Sequence, residues 1–573
     1  MKKQLLALVT VALLGTGYVR AQDDEFPQVW EAEFTNKAKV LSVVNSDGSM
    51  IVGSDENEVS VLDGQGKQLW YSRFKDLTDK EGVKNGELQN IYFDAGMLFL
   101  FEKKMGKDKL TVVDIKAGKA LWTTDRYSDL TEDNIEYIPQ LGAFFFSLKN
   151  TTVLVDAKTG QQRWETDKFK GSVGAFLYDD SRNELLMINY KPSQLAALFS
   201  GFKNQLIRIN AANGEVKWST SFFGFVERKV LTREALASLT LKGGKVFLEL
   251  DGIQVFDHET GQMLWSAVYE SDEEARRGLF NRGPHGGRVI KGGIYGAIAE
   301  PLYTNDGVYV VLGSGKLRTK FIAKYDLESG KKLWESEKIT GAGAMPNLHL
   351  EDGRLVAQIG GIVNKQTIEN KVETGPNGTV TTIYYNNEWD FMGGYGIIAL
   401  DPASGAKVWR SEKFDKRITD LVFGDGMVFA GSGDEFYGFD VKSGEMKINV
   451  DHSKGAVGKS MWAFDNGESV ALVCDKGLAA YNKKDGAKLY TTDKFRGVSA
   501  YHHVGGNFFL RRDNGSSNTI CAVDLKTGVI KGEVKSKGKG GGGQYGDGID
   551  ITTDGEYIFT FKGKDVQKLK VNK

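Results

Sequence analysis

The sequence predicts an all-β fold, a β-propeller of four-stranded antiparallel blades with about eleven repeat units. Three observations carry this. An apolar alternating strand ending in Asp or Asn, then a Gly turn, then a Trp, recurs along nearly the whole chain. The ten turn glycines from Gly66 to Gly528 are spaced by about 51 residues on average, the length of a propeller blade. Gly is abundant, at 70 of 573 residues, and Pro scarce, at 8, which favours tight turns and uninterrupted strands.

The chain opens with Met1-Lys2-Lys3, an apolar run from Leu5 to Leu14, and Val19-Arg20-Ala21 before Gln22. This is the pattern of a secretory signal peptide, residues 1–21, leaving 22–573 as the mature propeller. The apolar run is shorter than the ~20 residues that cross a bilayer, and no later segment approaches that length. An exported protein, periplasmic or extracellular, without a transmembrane segment is expected. No Cys stands near the cleavage position, so no lipid anchor is expected either.

The clearest copies of the repeat are VLDGQGKQLW (61–70), VVDIKAGKALW (112–122), LVDAKTGQQRW (154–164), RINAANGEVKW (208–218), VFDHETGQMLW (255–265), KYDLESGKKLW (324–334) and ALDPASGAKVW (399–409). Three weaker copies follow, in which Ile448, Tyr490 and Gly532 replace the Trp. Asp114, Asp156, Asp257, Asp326 and Asp401 end strands, where their carboxylates can accept N–H bonds inside the turn. Gly118, Gly160, Gly261, Gly330 and Gly405 supply the positive φ that the turn needs. Trp122, Trp164, Trp265, Trp334 and Trp409, with Trp70 and Trp218, then offer a wide ring for docking one blade on the next.

The ends of the chain complete the pattern. QVWEAEF (28–34) reads as a fourth strand without a preceding three, and residues 548–571 as three strands without a fourth. Joined, they close a ring and remove its free sheet edges. Eleven units suit one large circle, which the closing strand favours, or two rings.

The pattern A-x-D-x-x-[TSN]-G-x-x-x-W resembles the repeat of the pyrroloquinoline-quinone (PQQ) propeller superfamily, and VDAKTGQQRW, LDPASGAKVW and VDLKTG match it closely. The superfamily contains quinoprotein dehydrogenases and non-enzymatic members, among them a propeller lipoprotein of the outer-membrane barrel assembly machinery. The resemblance implies for a dehydrogenase a disulfide between adjacent cysteines, a calcium or lanthanide held by carboxylates and an Asn, and a catalytic Asp. Here Cys474 and Cys521 are the only cysteines and are not adjacent. No acidic residue matches the catalytic Asp, so a non-dehydrogenase member without PQQ or calcium is expected.

Other motifs are weaker. Lys and Arg number 74 against 75 Asp and Glu, a balance that argues against nucleic acid as a partner. His502 and His503 are successive on a strand and face opposite ways, which does not suit one metal ion. Gly313-Ser314-Gly315-Lys316 lacks the frame of a phosphate loop, since Leu317 stands where Ser or Thr is required. No G-x-S-x-G elbow occurs, and the two cysteines exclude multi-cysteine metal sites.

The long insertions fall where the loops between strands B and C, and between blades, emerge on one face. Residues 191–203 carry Leu195, Leu198, Phe199 and Phe202 at helical spacing. Residues 270–293 lie between blades 5 and 6 and contain Arg276, Arg277 and Arg282. Residues 365–390 read as a β-hairpin turning at Pro376-Asn377-Gly378 and bearing Tyr384, Tyr385 and Trp389. Aromatic and Arg side chains on long loops are the residues enriched in binding hot spots. They make this the candidate binding face of a protein-interaction or envelope-assembly scaffold, with a glycan or small-ligand binder and a PQQ-dependent dehydrogenase as the alternatives.

Overall fold

The computed structural model describes residues 25–572 except 45–47, 56, 79–88, 93–94, 103–108, 128–129, 131–134, 149–150, 170–174, 189–204, 223–237, 250–251, 270–288, 291–292, 296–298, 314–318, 376–377, 413, 514–517 and 537–547. The expected signal peptide and the 191–203 insertion therefore lie outside the described residues.

Eleven antiparallel sheets follow one another along the chain. Blade 1 illustrates the unit: Val40–Val44, Met50–Ser54, Glu58–Asp63 and Gln68–Arg73 pair in sequence order. The middle strands are apolar on both faces, as in Met97–Glu102 of blade 2, because each sheet is covered by a neighbour on either side.

Eleven buried apolar clusters fill the spaces between sheets, and their membership closes a single circle. Val52 and Leu98 share the cluster between blades 1 and 2, Leu154 and Leu185 that between blades 3 and 4, and Phe509 and Ile558 that between blades 10 and 11. The last joins Phe559 and Phe561 of blade 11 to Leu41 and Ile51 of blade 1. Each cluster is built from two blades adjacent in sequence or, for the last, from the final and first blades, as one closed ring requires; the exception is Ile362 of blade 7, which adds to the cluster between blades 9 and 10.

Blade 11 is made from both ends of the chain. Gln28–Ala38 pairs with the final element, Tyr557–Lys570, with Ala32 opposite Val566. That element doubles back at Gly563 (φ +65°), so that Val571 N–H reaches Glu556 O at 2.9 Å. Ile549–Ile551 adds the inner strand. Phe26, just before the first strand, rests against Gly532 of blade 10, within 2.4 Å of where a Cβ would stand. Blade 10 has no aromatic at that position of its repeat, and the side chain of Phe26 occupies the space.

Cys474 and Cys521 are both free and buried. Burial pushes each thiol up to about 12, so neither is a reactive thiolate at neutral pH.

Candidate interaction face

The repeat residues build the frame. Asp156 Oδ1 accepts the N–H of Thr159 at 2.9 Å, and Gly160 N–H returns to Asp156 O at 2.9 Å. The same Oδ1 contact recurs at Asp114 with Ala117, Asp257 with Thr260, Asp326 with Ser329 and Asp401 with Ser404, each at 2.8 Å. Burial works to raise the Asp156 carboxyl, but Arg163 at 2.7 Å and the turn N–H groups hold it down at about 2.

Each Trp reaches the next blade at its turn. Trp122 Nε1 donates to Ala157 O at 2.9 Å, Trp164 to Ala211 O at 2.9 Å, Trp334 to Pro402 O at 3.1 Å and Trp409 to Val441 O at 2.7 Å. The rings lie on the turn glycines: a Cβ on Gly160, Gly214, Gly405 or Gly444 would stand 2.4 to 2.8 Å from the indole of the preceding blade. Trp265 covers Gly330 in the same way, but its Nε1 has no acceptor among the described residues.

The insertion of blade 7 leaves this frame. Arg354–Gly375 and Gly378–Leu400 form one continuous hairpin, paired from Leu355 with Leu400 out to Gly375 with Gly378. Tyr384 stands opposite Glu369, Tyr385 opposite Ile368 and Trp389 opposite Asn364. Only the backbone is described over residues 363–391, and the turn at 376–377 lies outside the described residues.

The hairpin is bent at its root. The register shifts between Ile359 and Gly361, and Gly360, Gly361 and Gly394 have φ of +74°, +118° and +97°, which glycine adopts without the steric cost of a Cβ. A Cβ on Gly394 would fall 1.6 Å from Gly341 O. Beneath the bend, Asn347 Nδ2 donates to Gln358 Oε1 at 2.7 Å and to Asp420 Oδ1 at 3.1 Å, and Gln358 Nε2 donates to Gly360 O at 2.9 Å. Burial raises the Asp420 carboxyl, opposed by the Asn347 hydrogen bond. Past the bend, Ile362 joins Trp462 and Val498 in the cluster between blades 9 and 10, so the strand reaches from blade 7 to that seam.

The interblade insertion meets this hairpin. Val289–Ile290 and Gly293–Tyr295 form a short pair, and Gly293, Ile294 and Tyr295 stand opposite Thr367, Gln366 and Lys365. Sequence alone places residues 270–293 between blades 5 and 6; the structure attaches their end to blade 7, making its sheet six-stranded. Pairing between segments some seventy residues apart leaves no local signal. Arg276, Arg277 and Arg282 lie outside the described residues.

Residues 15–173, 149–364 and 394–553 match the family described as outer membrane protein assembly factor BamB, a PQQ-type repeat family. The chain belongs to this family. Solved structures similar to this BamB-family chain include BamB from Moraxella catarrhalis, 13% identical over 77% of this chain and 97% of that one, with a TM-score of 0.28. The computationally designed protein Ika8 is 13% identical over 69% of this chain and 94% of its own, with a TM-score of 0.30. The dihydro-heme d1 dehydrogenase NirN, solved in complex with DHE, is 11% identical over 70% and 74%, with a TM-score of 0.29. No curated protein matches the chain. Membership of the BamB family supports a scaffold or interaction role in general terms. Among the described residues no helix is long and apolar enough to cross a membrane, and no three His, Cys, Asp or Glu side chains converge to hold a metal ion.

Proposed function

We propose that this protein is an exported, non-catalytic propeller scaffold that holds a protein partner on the face carrying the B–C and interblade loops. The observation that carries this reading is the pairing of Gly293–Tyr295 with Lys365–Thr367, which joins two long insertions into one sheet. A sheet anchored on the ring holds the strand positions of Tyr384, Tyr385 and Trp389 at low entropic cost for a partner. Family membership fits an envelope setting, and the leader-like residues 1–21 fit export. Bound PQQ and calcium form no part of this reading; reconstitution with PQQ and Ca²⁺ should give no dye-linked alcohol or sugar oxidation above background.

The test is to replace residues 366–389 by a short Gly-containing turn. Loop closure costs little and the ring strands of blade 7 remain, so the thermal midpoint should stay within a few degrees. Capture of the native envelope partner should fall sharply. Normal capture by the trimmed protein, with loss of capture on substituting the Asp-to-Gly turn face, would refute the proposal.

A further inference from the structure

A second feature is a groove between blades 7 and 8, running from the Gly444 turn of blade 8 to Glu435 and Asp451 at the other ends of its strands. It encloses about 720 Å³, within the range of ligand pockets. Its wall on the blade 7 side is Arg410 with the segment that follows, at the end of the outer strand Lys407–Arg410, which has four residues like Lys332–Glu335 of blade 6. The ring of half-buried Tyr437 lines the groove, with Phe414 and Phe439 buried behind it in the cluster between blades 7 and 8. Phe414 and Tyr437 stack with centroids 4.8 Å apart and planes at 27°.

The polar lining is one-sided. Five carboxylates, on Glu412, Asp415, Asp434, Glu435 and Asp451, stand against two cations, on Arg410 and Lys416. Both cations are engaged: Lys416 Nζ bonds Asp434 Oδ2 at 2.7 Å, and Arg410 Nη2 donates to Thr340 O at 3.0 Å. Tyr437 O–H donates to Glu435, and Asp451 accepts Ser453 N–H at 2.7 Å. The exposed carboxylates of Glu412 and Asp415 lie beside the aromatic rings.

We infer that this groove binds an organic cation, a guanidinium or ammonium head on an aliphatic stem. The stem packs along the half-buried ring of Tyr437, and Glu412 and Asp415 neutralise the head. The cation can come from an Arg- or Lys-rich segment of a polypeptide or from a free polyamine. The inference does not rest on the hairpin of blade 7, whose removal leaves the groove residues in place.

The experiment titrates the full mature chain with a fluorescein-labelled peptide of alternating Gly and Arg, followed by anisotropy. Saturable one-to-one binding is expected, weakened at least tenfold by the exposed pair Glu412→Gln with Asp415→Asn. A charge-matched control on blade 3, Glu165→Gln with Asp167→Asn, should bind as the unaltered protein does. The hairpin-trimmed protein should also retain binding, which separates this inference from the function proposed above. Spermidine that competes at concentrations equal to the peptide assigns the site to free polyamines; competition only at far higher concentrations assigns it to a polypeptide. Equal weakening by the two charge variants, or no weakening by the groove variant, would overturn the inference.

Discussion

The indole of Trp164 in blade 3 lies against Gly214 of blade 4, 2.8 Å from where a Cβ on that glycine would stand, while its Nε1–H donates to Ala211 O at 2.9 Å. One side chain thus meets the two features that define the next blade's turn, its positive φ and its free carbonyl. Gly214→Ala should therefore lose stability twice, through strain at φ +73° and through displacement of the indole. Gly142→Ala also sits at positive φ, but nothing stands within 4 Å of its Cβ position. Denaturant midpoints should fall by about 2–4 kcal/mol equivalent for Gly214→Ala and about 1 kcal/mol for Gly142→Ala. Equal losses would mean that the ring contact adds nothing.

The hydrogen bond can be separated from the ring. Trp164→Phe keeps much of the apolar area but strands the carbonyl of Ala211, a cost of about 1–3 kcal/mol. Trp265→Phe loses no such bond, since its Nε1 has no acceptor among the described residues. Equilibrium unfolding should show the larger loss at Trp164, and Trp164→Ala should cost about 3–5 kcal/mol.

The ring seam carries a pH dependence. Asp550 lies between blades 11 and 1, and burial pushes its carboxyl up to about 6, against hydrogen bonds from the N–H groups of Ile551 at 3.0 Å and Val43 at 3.3 Å. The folded state then binds more protons than the unfolded one between about pH 4 and pH 6, so this group's contribution falls as pH rises through that window. Asp550→Asn keeps the acceptor oxygen and removes the ionisation. It should raise stability at pH 7.5 by up to about 3 kcal/mol, with the difference vanishing near pH 4. A variant less stable at both pH values would show that the carboxylate is needed as such.

At the hairpin root, Gly394→Ala should disrupt the bend, because its Cβ would fall 1.6 Å from Gly341 O. Its neighbour Gly393 has open space and no positive φ. Thermal melting and partner capture should both suffer in Gly394→Ala and stay near the unaltered values in Gly393→Ala.

The repeat was legible because a turn is a local event: the Asp, Gly and Trp of one motif lie within nine residues, and their chemistry requires no distant partner. The hairpin at 365–390 was legible for the same reason, through its turn residues and alternating strands. The bend at Gly360 and Gly361 was not, since a bulge is visible only once two strands are paired. Nor was the groove between blades 7 and 8, which is lined by residues brought together from two neighbouring sheets.

By itself, then, the sequence determined the blade, its count, and the pairing of the two chain ends that completes the eleventh unit. Each of these follows from turns and alternation within about fifty residues. Only the tertiary structure decided that the eleven units form one circle, that Ile362 reaches the cluster between blades 9 and 10, and that Gly293–Tyr295 joins blade 7. Those are contacts between surfaces already folded. They are selected by the angle at which sheets pack and by the space left over, quantities that no single stretch of chain encodes.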